Sequence, residues 1–185
     1  QGMNEEPYSQ VKTSLNGAEL APFERDDLIF GGIDFLTVTP EAAAGALGEC
    51  REDNWMQDDT GEYLRTMEFG SCSLTFTYDA GKQNPVLTVL TIDTDLIEGP
   101  RAVRMGDTLS SVISRFRNGD GEYDGASREV LYGDGVNAPY GLAEYGDDAT
   151  ATLWYALKMD DGRVIALCMT FEQMNLSEVT LYTDN

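Results

Sequence analysis

The chain has no histidine, three cysteines, and 12 basic residues against 33 acidic ones among its 185. Each shortage excludes something. Without histidine there is no Ser-His-Asp or Cys-His catalytic pairing, no histidine-ligated zinc and no histidine general base. An enzyme built on this sequence would work through carboxylate, lysine, tyrosine or cysteine. No motif of that kind is present, so the chain reads as non-catalytic. The cysteines, Cys50, Cys72 and Cys168, form no C-x-x-C pair, which excludes a zinc ribbon or a thioredoxin-type site. Cys168 sits in the apolar run 164–169 and reads as a buried free thiol. Cys50 and Cys72 would pair only in an oxidising compartment, and spacing does not decide it. The formal net charge of -21 repels phosphate backbones and anionic lipid, so nucleic-acid binding is excluded and membrane surfaces are disfavoured. No apolar run is long enough to cross a bilayer, so no transmembrane segment is expected.

What is present is a core-forming composition, 42% hydrophobic and 10% aromatic. A sequence unit also occurs twice. Leu74-Thr-Phe-Thr-Tyr-Asp-Ala-Gly-Lys82 is followed by the apolar run 86–92; Tyr155-Ala-Leu-Lys-Met-Asp-Asp-Gly-Arg163 is followed by 164–170. Asp79 aligns with Asp160, Gly81 with Gly162 and Lys82 with Arg163, all at an offset of 81. Self-similarity of this kind points to a tandem-repeat architecture.

The punctuation supports an α+β reading. Thr39 as N-cap and Pro40 at the first helical position open a helix over 41–47 that Gly48 closes. Its alanines should let it approach a sheet closely. Asp107 is expected to cap a second helix over 108–117, whose Leu109, Val112, Ile113 and Phe116 form an apolar stripe. Strands are expected at 63–69, 73–78, 86–92, 129–132, 151–159, 164–171 and 179–182, with turns at 58–61 and 160–163. The two caps are offset by 68 rather than 81, so the second copy holds a longer, acidic and Gly-rich loop within 118–150. The organisation is therefore an arm over 1–25, a first repeat over 26–98 and a second over 99–185. Gln1-Gly2 before Met3 reads as a tag remnant, with any signal peptide already lost.

Asp107 ahead of its helix, the Tyr78-Asp79-x-Gly81-Lys82 turn and the Met159-Asp160-x-Gly162-Arg163 turn together resemble the tandem repeats of β-lactamase inhibitor protein-like domains. Their relatives include small bacterial envelope lipoproteins. The resemblance runs from about Leu28 to the end. It implies two tandem helix-plus-antiparallel-meander repeats, their sheets side by side with helices on one face and an exposed concave face opposite. It also implies a secreted or lipid-anchored protein that binds another protein. The inhibitory residues have no counterparts that can be placed, so inhibition does not carry over.

Aromatic residues outside the clearest strands are candidate contacts, because Trp and Tyr make low-entropy anchors for proteins or sugars. Trp55, Tyr140 and Tyr145 are chosen on that ground, and Trp154 as the strand tryptophan that would face the open side. Packing onto sheet edges is the competing reading. Asp120, Glu122 and Asp124, ahead of Gly125, match the start of a calcium loop, but Leu131 stands where the bidentate acid belongs. A solvated acidic turn is the favoured alternative, and no cofactor is expected beyond this possible calcium. The resulting expectation is an exported protein-binding module. Its alternatives are a carbohydrate-binding or carbohydrate-cleaving module and a calcium-stabilised structural module.

Overall fold

The computed structural model describes residues 20–121, 123–124 and 127–183. In chain order, β1 (Ile29–Phe30) and β2 (Ile33–Asp34) make a small hairpin, followed by α1 (Pro40–Leu47). A first meander follows: β3 (Cys50–Gln57), β4 (Tyr63–Phe69), β5 (Ser73–Tyr78) and β6 (Val86–Ile92). After α2 (Leu109–Ile113) come β7 (Tyr123–Asp124), β8 (Arg128–Tyr132), β9 (Tyr140–Tyr145), β10 (Ala151–Lys158), β11 (Val164–Glu172) and β12 (Asn175–Tyr182). One antiparallel sheet of ten strands holds β3 to β12, in the order β3-β4-β5-β6-β12-β11-β10-β9-β8-β7.

The expected α+β layout does not hold. Among the described residues α-helix is confined to segments of eight and five residues, so the protein is mostly β. The two sheets expected side by side are one, because β6 pairs directly with β12 from Val89–Tyr182 to Ile92–Val179. Backbone hydrogen bonds run unbroken through the place where a seam was expected.

Period-two patterning makes the long strands. In β5, Leu74, Phe76 and Tyr78 are buried and Ser73, Thr75 and Thr77 are half-buried. In β11, Ile165, Leu167, Met169 and Phe171 repeat the pattern. These side chains line one face, and the core lies between it and a layer of irregular chain and short helices. That layer supplies Phe23, Leu28, Ile33, Phe35, Ala43 and the α2 stripe of Leu109, Val112, Ile113 and Phe116.

The stripe is where the spacing placed it, but the cap is not. Thr108 accepts from Ser111 N at 3.3 Å, whereas Asp107 accepts from Arg104 N at 2.9 Å and from Arg115 Nη2 at 3.1 Å. The helix stops at Ile113 rather than at 117. Thr39 does cap α1, accepting from Ala42 N at 3.1 Å. Only Ala43 of its alanines is fully buried, so α1 does not press its alanine face onto the sheet.

The chain up to Arg25, expected as an arm, is described from residue 20, and there it is docked. Phe23 is buried and its N–H donates to the Tyr132 hydroxyl at 3.0 Å. Arg101 donates to the carbonyls of Ala21 at 2.9 Å and Pro22 at 2.7 Å.

The repeated turn motif falls on hairpins of different rank. Its first copy joins β5 to β6, the third hairpin of the first meander. The second joins β10 to β11, the middle hairpin of β9–β12. Hydrogen bonds also shift the alignment by one residue. Asp79 N donates to Gln83 O and Lys82 N to Asp79 O; Met159 N donates to Arg163 O and Gly162 N to Met159 O. Asp79 therefore corresponds to Met159, and Lys82 to Gly162.

Candidate functional site

The β3–β4 turn repeats this bonding, with Asp58 N to Glu62 O and Gly61 N to Asp58 O. Each of these three turns puts its fourth residue in the left-handed region: Gly61 at φ 88°, Gly162 at φ 91° and Lys82 at φ 56°. A side chain there costs about 1–2 kcal/mol. Glycine avoids that cost in two turns. Lysine bears it in the third, and its position shows what it does. The Lys82 ammonium stands 5.2 Å from the Trp55 ring centroid and 4.7 Å from that of Tyr63.

Around it the sheet builds a platform. Trp55, Arg65 and Phe76 lie in one cross-strand row, with Tyr63 opposite Tyr78 in the next. Alternation puts all of these side chains on the core-side face, near the β3 edge. The Trp55 ring lies 4.7 Å from Tyr78 and 6.5 Å, edge-on, from Tyr63. The Arg65 guanidinium sits 5.1 Å from the Trp55 centroid. Arg65 is gripped by both oxygens of Asp53, at 2.9 and 2.7 Å, and donates to the Tyr78 hydroxyl at 3.1 Å. The Arg65 hydrogen bond holds the Asp53 carboxyl below its ordinary value, and the same bond raises Arg65. Trp55 stays 42% exposed and Met56, on the opposite face of β3, 62% exposed. Such contacts bring about 0.5–1 kcal/mol each at exposed sites, enough to fix the ring.

The four aromatic residues chosen from the sequence are not brought together. Trp55 is on β3; Tyr140 and Tyr145 are on β9, seven strand steps away, and Trp154 is on β10, six steps away. At the usual spacing that is roughly 29 Å along the sheet. Trp55, Tyr140 and Tyr145 sit in strands rather than loops. Trp154 and Tyr140 are half-buried on the face opposite the core, Trp154 being aligned with Cys168 and Leu142. Tyr145 turns to the core side and donates from its hydroxyl to Glu129 Oε2 at 2.8 Å. Sequence reasoning missed Tyr63, Tyr78, Arg65 and Lys82 as partners of Trp55. The available signal was the non-glycine residue in a turn that elsewhere uses glycine.

Of the calcium candidates, Asp120 is committed to Arg117 at 2.5 Å, while Glu122 and the Asp124 side chain lie outside the described residues. No metal-ligating cluster occurs among the described residues. All three cysteines are free thiols. Cys168 is half-buried rather than in the core, and burial pushes its thiol up to about 11. Cys50 opposes Phe69, whose N–H bonds to the Cys72 carbonyl at 2.9 Å. The two cysteines are therefore two strand spacings apart, about 10 Å, beyond disulfide reach.

Among the described residues no helix is long and apolar enough to cross a membrane. No family model, no curated protein and no solved structure matches the chain.

Proposed function

We propose that the chain is a non-catalytic protein-binding module whose contact centre is the Trp55 platform. One observation carries this reading: a large exposed indole is held in place by Tyr78, Arg65 and Lys82, with a strained backbone at Lys82. Trp, Tyr and Arg are the residue types on which protein interfaces concentrate binding energy. A ring fixed before contact loses little entropy on binding. The sugar-stacking alternative is weaker, because Arg65 and Lys82 already lie against the ring that a sugar would use.

The test is affinity capture from the exported protein fraction of the source cells, with Trp55→Ala and Trp154→Ala variants run beside the wild type. A protein held stoichiometrically by the wild type and by Trp154→Ala, and lost with Trp55→Ala, is the expected outcome. Equal capture by all three chains would remove the platform from the reading. Binding to a glycan array and to no protein would replace it with the sugar-binding alternative.

A further inference from the structure

We propose that β3 is an acceptor edge. An extended, basic segment of a partner protein adds to it as an eleventh strand beside the ten present. The inference rests on the reading of Trp55 as a contact centre and states how that contact is made.

Among the described residues β3 ends the sheet and pairs only with β4. From Arg51 to Gln57 every residue is exposed. Its outward hydrogen-bonding groups follow from the turn. Asp58 and Glu62 are bonded, and antiparallel pairs alternate between bonded and non-bonded. Met56–Leu64 and Asn54–Thr66 therefore exchange bonds within the sheet, and the intervening Asp53, Trp55 and Gln57 direct their N–H and C=O groups away from β4. Natural sheets blunt such an edge with proline, lysine, a bulge or a covering loop. Here the bulge lies at Arg51, the stretch 53–57 has no proline or lysine, and its one inward-facing charge, Asp53, is already paired with Arg65. The groups that an added strand would bond belong to the residue that carries the indole and to its two neighbours on the same face.

Side chains set the chemistry of the occupant. A residue paired with Trp55 would lie beside the indole on the core-side face, which suits an aromatic or apolar side chain. On the other face Glu52 stands directly opposite Glu68, both exposed. Like charges so placed repel, and a Lys or Arg paired with Glu52 would offset that repulsion. The fitting segment therefore has an apolar ring and a basic residue three positions apart, pointing to opposite faces. A second copy of this chain fits poorly. Two β3 strands paired antiparallel about Trp55 would set each Glu52 opposite Asp58 of the other copy, and would join two chains of net charge -21. A cationic partner gains from the same field.

The probe is a short, end-capped peptide of alternating threonine and valine, with one tryptophan and a lysine three positions from it. It is titrated into the isotopically labelled full chain while amide exchange is read. Slowed exchange at Asp53, Trp55 and Gln57, with Asn54 and Met56 little changed, is expected. Gln57→Pro removes one outward N–H and should weaken binding about tenfold, while Gln57→Ala should not. Lysine-to-glutamate exchange in the peptide should weaken it by a similar factor. If Gln57→Pro does not fold, a peptide N-methylated at alternate amides makes the same cut. Binding without the alternating protection, or no binding at millimolar peptide, overturns strand addition. Self-association of the chain with that same protection assigns the edge to a second copy and overturns the partner. Capture lost with Trp55→Ala but kept with Gln57→Pro sinks strand addition alone and leaves the platform standing.

Discussion

The two ends of the sheet carry the same ingredients in opposite settings. Near β3, Trp55, Tyr63 and Tyr78 meet Arg65 and Lys82. Toward the other end, Phe116 stacks on Tyr155 at 4.3 Å, Tyr155 on Tyr132 at 6.2 Å, and the Arg101 guanidinium lies 4.3 Å from the Phe116 centroid. The second cluster is buried. Arg101 is locked there by Asp27, at 2.8 and 2.9 Å, and by the carbonyls of Ala21, Pro22 and Arg115. Burial pushes Tyr132 up to about 12 and Tyr155 well above its ordinary value. Residue types do not distinguish a contact surface from a structural rivet. What distinguishes them is whether chain covers them: α2 and residues 21–28 roof one cluster, and the other lies beside an open edge.

The widest gap between the two should appear on truncation. Phe116→Ala should cost about 4 kcal/mol of stability, since it empties a closed core, and Trp55→Ala about 1 kcal/mol or less. Urea unfolding of both variants checks this, and equal losses would mean that the platform too is structural. The arginines should differ next. Arg101→Ala strands the largely buried Asp27 and should cost about 3 kcal/mol; Arg65→Ala, beside the more exposed Asp53, should cost about 1 kcal/mol.

A smaller contrast is with pH. The Asp53 carboxyl titrates below its ordinary 3.8 because of Arg65, so its contribution is present above that value and is lost as pH falls through the folded pKa. Asp53→Asn should flatten the acid-side loss of stability without changing the neutral-pH exposure of Trp55. An unchanged acid limb in an equilibrium unfolding series would break the pairing argument.

The smallest effect is a near-cancellation. Lys82→Gly relieves about 1–2 kcal/mol of left-handed strain and forfeits two cation–π contacts of about 0.5–1 kcal/mol each. The two cancel to within about 0.5 kcal/mol, so the melting temperature should stay within about 1–2 °C while binding weakens. A melting temperature several degrees lower would mean that Lys82 stabilises the turn rather than serving the site.

Much of this was legible in the residues. The turns at 58–61 and 160–163, the alternating strands and the Thr39–Pro40 helix start follow local rules, and the structure keeps them. Trp55 was legible as a candidate, but its partners were not, because Tyr63, Tyr78 and Lys82 come from three different elements. β3 itself was invisible. An edge strand with both faces in water has no reason to alternate, and Cys-Arg-Glu-Asp-Asn-Trp-Met-Gln does not. The repeat misled by one residue because Gly81 and Gly162 look alike as letters, while only Gly162 has the left-handed backbone.

The sequence by itself determined which side-chain chemistries are present and where the most apolar strands lie. Histidine is absent and acid is in excess; alternation marks β5, and apolar runs mark β6, β10 and β11. Tertiary structure decided the rest. β6 and β12 join two meanders through a pairing between residues 89–92 and 179–182, which no local period encodes. That pairing places β3 at the far edge, uncovered among the described residues. Exposure is a property of what the rest of the chain leaves open, so no reading of Trp55 and its sequence neighbours alone could supply it.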